Sequence, residues 1–501
     1  MSSADMKVST VLRYPMIKNR RFFNYLKENE YLMLKNTCVS ENEAIEHYNG
    51  VYKQIIATTQ DMYRHGYIKK SGKKLIFGLL KSGNLNKLYI KIVNLNLLQV
   101  NSATLAEKEY LTALAGELNF INKNLVYNSF DKAISLNLFN VKYHFARSEF
   151  LFKNCDFDGA IDGLLTAKSI IANSNDTISM YKNYKLLGDI YFIKGDYENS
   201  LAYYTNTLIL GDFHEIQKNK LSILSAIGRI MYFRGDLSES INYYKYAVEL
   251  GIGKRMDGIK VILALSNSYY VYGDYDNSLK FADLALKKLR KNDDRLLAAK
   301  AYVLKCLNYE RVNERKMMEK YCGVAMKNLL ERYRKNDDFE INNLLGSIFS
   351  SVPFFRDKIR AERYYLAALN LAEENIVKKI SVLEKLVSLY ARNHSNRGII
   401  INIIDEINKY RRQYGLKHNY NNDFLLGKSE IYSGQGNCFY CLRAEDGFKN
   451  QKTRLFALYT YMTNFYRNID VDLADKYREK SIKLSEQLYK YGSHNTITPE
   501  A

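Results

Sequence analysis

Apolar and polar residues follow a helical period along most of this chain. Apolar side chains recur every three or four positions, the spacing that places them on one side of an amphipathic helix. Residues 187–192 are typical, with a leucine, an isoleucine and two aromatic residues around a glycine. Only 3 prolines occur in 501 residues, and proline interrupts helix interiors. The pattern therefore predicts an almost entirely helical chain with a large apolar core.

Short turns, in which a glycine precedes an aspartate, separate some of these helical stretches. Three of them, at Gly195, Gly235 and Gly273, lie 40 and 38 residues apart. Glycine adopts the positive φ that a tight turn needs, and the aspartate side chain can accept a hydrogen bond from the backbone that follows. The spacing indicates that a pair of helices joined by a turn repeats with a period near 40 residues.

One small residue recurs in each period, where the first helix of a pair is expected to cross the second. Small side chains let two helices approach closely, and a helix pair that cannot bury its own apolar face stacks on its neighbours. Seven positions follow this spacing: Ser148, Gly188, Gly228, Ser266, Cys306, Gly346 and Gly427. Such self-similarity predicts a helical-repeat solenoid.

These turns and small residues resemble the tetratricopeptide repeat (TPR), whose pattern combines Leu-Gly, a tyrosine, Gly-Asp-Tyr and later alanines. The resemblance covers residues 140–490 and is strongest over 140–290, although the usual period of the family is about 34 residues. It implies an all-α fold with a TPR-like superhelix at 140–490. Residues 101–139 are then a helical connector or a divergent repeat, and residues 491–501 a flexible tail.

In the TPR family the first helix of each pair lines a concave groove that binds peptides. The resemblance implies that an aromatic stripe with mixed polar residues faces this groove, where it would bind a protein, a peptide or a sister subunit. The alternative is that the rings pack between helices. The implied groove residues are Phe152, Phe192, Arg229, Tyr232, Asn267 and Tyr270.

The first hundred residues differ from the rest in charge. The chain has a formal net charge of +20, and residues 1–100 contain 16 Lys+Arg against 7 Asp+Glu. A strong positive charge favours an acidic partner such as nucleic acid, an anionic surface or an acidic protein. Because the repeat pattern is also absent here, residues 1–100 are predicted to form a separate basic module.

Helical signals and a tight turn occupy the first part of this module. Residues 17–35 have the apolar spacing of an amphipathic helix. Ser40 and Glu43 form a capping box that opens a further helix. A turn is predicted at Gly50, followed by a second helix over residues 53–65.

The next segment, residues 67–77, contains two short β-prone runs around Ser71 and Gly72 and predicts a hairpin with four lysines. The order of helix, turn, helix and basic hairpin resembles a winged helix-turn-helix. That resemblance implies a recognition helix in the DNA major groove and a wing that contacts phosphate. The alternative is a divergent capping hairpin of the solenoid. The residues that the winged helix would bring to DNA are Lys53, Gln54, Thr58, Thr59, Gln60, Arg64, Lys69, Lys70, Lys73 and Lys74.

Motifs of catalysis and of metal binding are missing from the sequence. No phosphate-binding loop, nucleophile elbow or His-Glu-x-x-His zinc motif occurs. The 6 cysteines are scattered, and only Cys438 and Cys441 have a suggestive spacing, with no second ligand pair nearby. We therefore expect a non-enzyme with no catalytic residues, no metal and no cofactor.

No apolar run reaches the roughly 20 residues of a membrane span, and the N-terminus lacks the apolar core of a secretory signal. We expect a cytoplasmic protein of bacterial composition without a membrane partner. The leading hypothesis is a transcription regulator with an N-terminal DNA-binding module and a repeat domain that senses a protein or peptide. The alternative is a cytoplasmic adaptor or chaperone-like scaffold that does not bind DNA.

Overall fold

The structure, a computed structural model, consists of α-helices joined by short connections. Within the described residues there is no strand, and the all-α prediction is confirmed. Residues 17–35, for which a helix is predicted, and the predicted tail at 491–501 lie outside the described part. The described residues are 41–174, 176–210, 214–250, 256–289, 295–333, 339–352, 355–372, 375–392, 397–432, 439–449 and 451–488.

The chain divides into two compact units. Among the described residues, unit one contains 41–190 with the short segment 375–377, and unit two contains 191–372 and 378–488. The helices of unit one are α1 (Glu41–Arg64), α2 (Lys70–Ser82), α3 (Leu85–Val93), α4 (Ser102–Leu118), α5 (Lys123–Leu136), α6 (Val141–Lys153), α7 (Phe157–Ala172) and most of α8 (Thr177–Lys194).

The described part of unit two contains the end of α8 and fifteen further helices, of which α18 begins in the short segment of unit one. They are α9 (Tyr197–Ile209), α10 (His214–Arg234), α11 (Leu237–Glu249), α12 (Met256–Tyr272), α13 (Tyr275–Lys288), α14 (Arg295–Arg311), α15 (Arg315–Tyr333), α16 (Phe339–Ser351), α17 (Lys358–Ala372), α18 (Ile376–Arg392), α19 (Arg397–Gln413), α20 (Tyr420–Tyr432), α21 (Phe439–Gly447), α22 (Lys452–Tyr466) and α23 (Val471–Leu488).

The core of unit one forms around α4. Helix α4 is buried on nearly every side because α1, α3 and α5 pack against it. The Tyr110 ring of α4 lies 6.2 Å from the Phe130 ring of α5 and 4.9 Å from the Tyr143 ring of α6, between ring centroids. The Asn101 side chain accepts a hydrogen bond from the Thr104 amide at 2.9 Å, and this cap fixes where α4 begins.

From α4 onward the helices form successive pairs, each with a first and a second helix, and the predicted turns join three of these pairs. Gly195, Gly235 and Gly273 have φ of +79°, +83° and +87°, the left-handed region that favours glycine. The carboxylate of Asp196 accepts a hydrogen bond from the Asn199 amide at 3.3 Å and caps the second helix, α9. The predicted role of the Gly-Asp turn is therefore confirmed.

The small residues lie where the two helices of a pair cross. A Cβ atom added to Gly228 would lie 3.1 Å from the Tyr244 ring of the facing helix. At Gly346 the corresponding distance to the Tyr365 ring would be 2.5 Å, which no side chain tolerates without movement. The close crossing predicted from the sequence is confirmed at these positions.

The first helices of neighbouring repeats line one side of unit two. Direct contacts join α10 to α12, α12 to α14 and α20 to α22, all of them first helices, whereas the second helices of neighbouring repeats touch less. Elements that approach each other on one side only give a stack that curves toward that side. We call this side, formed by α10, α12, α14, α16, α18, α20 and α22, the inner face of unit two.

A disulfide bond joins the two helices of one repeat, which the scattered cysteines do not predict. Cys306 of α14 and Cys322 of α15 are bonded across the crossing, with their Cα atoms 5.4 Å apart and a sequence separation of 16. The repeat spacing contains the signal. Tyr244 follows Gly228 by the same interval, so Cys322 occupies the place that faces the small residue of its repeat.

The predicted helix-turn-helix in the N-terminal module is wrong. Helix α1 is continuous for 24 residues and passes through Gly50, where the turn is predicted. The reason is the apolar stripe formed by Val51, Ile55 and Met62, which keeps a helical spacing on the C-terminal side of the glycine and is completely buried. Burial of this stripe outweighs the roughly 1 kcal/mol that a glycine costs inside a helix.

The predicted basic hairpin is also wrong, because its residues belong to helix α2. The helix buries Ile76 and Leu80 on one face, where both side chains join the apolar core of unit one. Helix α2 ends at Gly83, which has a φ of +71°. The lysines predicted in the wing therefore lie on, or immediately before, a helix.

Candidate partner-binding site

The predicted aromatic stripe lies on first helices, and its rings contact other parts of the same unit. In unit two the Arg229 guanidinium stacks over the Phe192 ring at 4.0 Å from the ring centroid. The Phe233 ring lies 6.1 Å from the Phe192 ring. In unit one the Phe152 side chain is buried, with the Phe157 ring 6.1 Å away.

Tyr232 and Tyr270 are hydrogen-bonded within unit two. The Asn267 amide donates to the Tyr232 hydroxyl at 3.1 Å, and the Arg311 guanidinium donates to the Tyr270 hydroxyl at 3.2 Å. Burial raises the pKa of both hydroxyls, which these hydrogen bonds oppose. The Tyr232 ring also packs against a small core of Leu237, Phe456 and Leu488.

Helices α22 and α23 therefore cover the stripe at Tyr232 with residues of the last repeat. The contacts of the stripe are those expected if the rings pack between helices. A role for these six residues in binding a partner stays a prediction.

A second group of inner-face residues is centred on Lys385 of α18. Its ammonium donates hydrogen bonds to the Asn343 side-chain oxygen at 2.7 Å and to the Ser347 hydroxyl at 3.1 Å, both on α16. The Tyr365 ring of α17 lies 5.9 Å from the same nitrogen. The positive charge of Lys300 on α14 also acts on this ammonium. We call Lys300, Asn343, Ser347 and Lys385 the Lys385 cluster.

The Lys385 ammonium lacks a carboxylate partner within ion-pair distance among the described residues. Its hydrogen-bond acceptors, Asn343 and Ser347, are both neutral. The pKa of Lys385 is lowered to about 8, mainly by burial; the negative charge of Glu340 raises this pKa and the positive charge of Lys300 lowers it. Within the described part of the chain, this largely desolvated positive charge therefore has no ion-pair partner.

The geometry of the cluster suits a carboxylate or another small anion. An ammonium carries three donors, of which Lys385 uses two, and the Asn343 amide nitrogen adds two more. Hydrogen bonds between an ammonium and a carboxylate are shorter and stronger than neutral ones, and more so where water is excluded. An anion bound here would supply the charge that Lys385 lacks.

The sequence contains a signal for Lys385 that the groove prediction overlooks. Lys385 stands two positions before Val387, which takes the place of the small residue in its repeat. The residues at the equivalent position in other repeats of unit two are all apolar: Ala226, Ala264, Leu304, Leu344 and Leu425. A lysine at a position that is apolar in these other repeats indicates a role other than packing.

Two cations that contact the first helices of unit two are paired with carboxylates. Arg411 donates to Glu384 at 2.6 Å, and the Asn419 amide donates to the same oxygen at 2.7 Å. Asp236 in the turn between α10 and α11 forms an ion pair at 2.9 Å with Lys452 at the start of α22. Glu384 is the direct neighbour of Lys385 in the sequence, yet its carboxylate is used by Arg411 and Asn419.

In unit one, by contrast, helix α1 covers polar residues of the first helices α4 and α6. His47 of α1 contacts the carboxylate of Glu117 on α4, and its other ring nitrogen lies 3.9 Å from Glu149 on α6. The Tyr110 hydroxyl donates to the Gln54 side chain of α1 at 2.8 Å. These polar side chains of α4 and α6 thus have partners from the same unit.

The residues predicted at DNA fall into three groups. Thr58 and Thr59 are buried, which is incompatible with the predicted DNA contact. Gln54 bonds to Tyr110, and Lys73 lies over the Tyr63 ring at 4.6 Å. The remaining ones are exposed or partly exposed: Lys53, Gln60, Arg64, Lys69, Lys70 and Lys74.

No group of three or more His, Cys, Asp or Glu side chains in the described part of the chain could hold a metal ion. None of the described helices combines the length and the apolar character that crossing a membrane requires.

Comparisons with known proteins identify helical-repeat structures. No family model matches the chain, and no curated protein sequence matches it. The quorum sensor NprR from B. thuringiensis, in its apo form, is 17% identical with a TM-score of 0.46, covering 74% of this chain and 97% of its own. RapI in its apo form is 12% identical with a TM-score of 0.46, covering 76% and 99%. A Rap protein complexed with competence and sporulation factor is 13% identical with a TM-score of 0.40, covering 87% and 99%.

Proposed function

We propose that this chain is a TPR-type interaction scaffold that binds an acidic group of a protein or peptide partner at the Lys385 cluster. The observation that carries the proposal is the Lys385 ammonium, which is largely desolvated on the inner face and whose hydrogen-bond acceptors among the described residues are neutral. The partner would present a carboxylate, from an aspartate, a glutamate or a chain terminus, to Lys385 and Asn343.

The position of Lys385 supports a role beyond packing. Removing a charge from water costs several kcal/mol unless an opposite charge compensates it. Leucine or alanine fills the equivalent position elsewhere in unit two without that cost. A lysine that only bridged α16 and α18 would be a poor choice for stability, whereas a lysine that recognises an anion gains its counter-ion on binding.

The location of the cluster also fits a partner segment that lies along several repeats. Its residues come from three successive first helices: Lys300 from α14, Asn343 and Ser347 from α16, and Lys385 from α18. A segment that contacts all three must run along the inner face. Extended peptides and helices laid into grooves are both recognised in this way.

The test is a selection from a random peptide library against the intact protein and two variants. Lys385→Met removes the ammonium and keeps a side chain of similar length. Lys327→Met is the matched control, because Lys327 is exposed on the second helix α15. We expect acidic residues to be enriched at a fixed position for the wild type and for Lys327→Met, and this enrichment to be lost for Lys385→Met. Equal enrichment in all three proteins would contradict the proposal.

A DNA-binding transcription regulator is the second candidate. The support for this candidate is the positive charge of the N-terminal region. The predicted recognition turn at Gly50 and the predicted hairpin wing do not support it, because helices occupy both segments. Titration of intact protein with duplex DNA across a salt series tests it. Phosphate contacts would make the affinity fall steeply with salt, and an affinity that is undetectable at low salt would exclude this candidate.

A further inference from the structure

A long segment of unit one carries positive charge without a single acidic residue. Between Asp61 and Glu107 the sequence contains eight Lys and Arg residues and no Asp or Glu. The segment includes all of α2 and α3 and their connections. The rest of the chain mixes both signs of charge, so this segment is a distinct electrostatic region.

The folded structure turns these lysines outward. In α2 the exposed Lys70, Lys74 and Lys81 lie on the side of the helix opposite Ile76 and Leu80, which are buried. In α3 the exposed Lys87 and Lys91 lie opposite Leu88 and Ile92, which are also buried. Helices α2 and α3 pack directly against each other. The lysines therefore belong to one connected part of the surface.

Large apolar side chains stand exposed among these lysines. Leu75 follows Lys74 and is 46% exposed, and Ile90 stands between Lys87 and Lys91 and is 56% exposed. In the segment that follows α3, Leu98 is 50% exposed and Val100 76% exposed. The Leu98 amide donates to the Tyr67 carbonyl at 2.9 Å, which holds this segment beside the start of α2, close to Lys69 and Lys70.

We propose that this surface, formed by α2, α3 and residues 94–100, docks on an anionic lipid surface. Lysines are attracted to the negative charge of anionic headgroups, with about 1 kcal/mol for each lysine near the surface. Apolar side chains between them enter the boundary between headgroups and acyl chains. The combination on one surface fits peripheral binding, in which no helix crosses the bilayer, and it does not depend on the Lys385 cluster.

The same observations fit duplex DNA less well. Bidentate contacts with base edges and phosphates suit the planar guanidinium of arginine, whereas the ammonium of lysine is a point charge. In this segment the charged residues on α2 and α3 are all lysines, and the one arginine, Arg64, forms an ion pair with Asp61 at 3.5 Å. Leu75 and Ile90 would face phosphates or water on DNA, whereas a lipid surface takes them out of water.

The test measures sedimentation of the intact protein with vesicles of phosphatidylcholine alone and with vesicles of equal parts phosphatidylcholine and phosphatidylglycerol. The charge variant combines Lys74→Gln, Lys87→Gln and Lys91→Gln. We expect binding only to vesicles that contain phosphatidylglycerol, and a roughly hundredfold weaker partition coefficient for the charge variant, from about 1 kcal/mol for each lysine.

A matched control combines Lys123→Gln, Lys132→Gln and Lys182→Gln, which removes the same charge from exposed positions elsewhere in unit one. The control should bind like the wild type, and Ile90→Ser should weaken binding severalfold without a change in charge. The proposal is overturned if phosphatidylglycerol does not increase vesicle binding of the intact protein, or if the control variant loses as much vesicle binding as the charge variant. It is also overturned if duplex DNA binds through the same three lysines while vesicles do not.

Discussion

The polar side chains of first helices have different kinds of partners in the two units. In unit one, helix α1 packs along α4 and provides His47 for Glu117 and Gln54 for Tyr110. In the described part of unit two, the Lys385 ammonium on α18 donates to the neutral oxygens of Asn343 and Ser347 and has no carboxylate within ion-pair distance. The same repeat architecture thus carries one surface with internal partners and one with an uncompensated charge.

The difference shows that the repeat pattern alone does not locate a binding site. Buried polar groups are normally hydrogen-bonded, and buried charges are normally paired. A partner that binds a surface whose polar groups already have internal partners gains little binding free energy. A desolvated charge with neutral neighbours contributes more binding free energy, because an acidic partner supplies the missing opposite charge. We therefore place the site in unit two, on electrostatic rather than aromatic residues.

The largest expected effect comes from breaking the internal contact of unit one. In His47→Leu the buried Glu117 carboxylate loses its partner on α1. Leaving a buried carboxylate without its hydrogen-bond partner costs about 3 kcal/mol, because the desolvation of a charged acceptor is then uncompensated. We expect a loss of this size in the free energy of unfolding measured with urea, and faster amide hydrogen exchange in α1.

His65→Leu is the control for this change, since His65 lies on the loop that follows α1 and is exposed. It should alter the free energy of unfolding by less than about 0.5 kcal/mol. A His47→Leu protein as stable as the control would show that α1 does not depend on this contact, and the contrast between the units would weaken.

A second prediction concerns the pH dependence of stability that Lys385 causes. Burial lowers its pKa to about 8 in the folded protein, while an unfolded lysine titrates near 10.4. Between these values the unfolded chain binds more protons, so this lysine makes stability rise with pH. The wild type should gain about 2 kcal/mol relative to Lys385→Met between pH 8 and pH 10.

Urea unfolding of both proteins at several pH values in that window measures this difference. Lys327→Met should follow the wild type, because Lys327 is exposed. Parallel curves for the wild type and Lys385→Met would mean that the Lys385 ammonium is as well solvated as a surface lysine, and the proposed site would lose its electrostatic basis.

The smallest predicted effect removes one hydrogen bond between α1 and α4. Tyr110→Phe deletes the hydroxyl that donates to Gln54 at 2.8 Å and leaves the ring in place. Net contributions of such hydrogen bonds are about 1 kcal/mol. Urea unfolding should show a loss of this size, smaller than that of His47→Leu. A loss equal to that of His47→Leu would mean that the hydrogen bond to the buried Glu117 carboxylate is no more important than one between neutral groups.

The sequence predicts the parts of the fold that depend on local chemistry. The positive φ of Gly195 and the cap formed by Asp196 follow from the residue types themselves, and so does the close crossing at Gly346. The error at Gly50 has the opposite origin. A glycine permits a turn without requiring one, and the apolar stripe on its C-terminal side keeps α1 helical.

The candidate site depends on contacts between distant repeats, which the sequence reveals only in part. Tyr232 is in the predicted register, but Phe456 and Leu488 of the last repeats cover it. Lys385 is visible as an unusual residue in an apolar row, yet only the structure shows that Glu384 is already used by Arg411. The sequence shows which charged residues are present, but it does not show which of several neighbours each of them pairs with.

The titration of Lys385 itself, measured by competitive acetylation of the intact protein and mass spectrometry across pH, tests most directly whether the inner face of unit two holds an uncompensated charge. We expect a midpoint near pH 8 for Lys385, well below the value of about 10.4 for an unfolded lysine, and a rise of this midpoint when an acidic peptide from the selection is bound. A Lys385 midpoint near that of an unfolded lysine, unchanged by the bound peptide, would contradict the claim that the inner face of unit two holds an uncompensated charge for a partner.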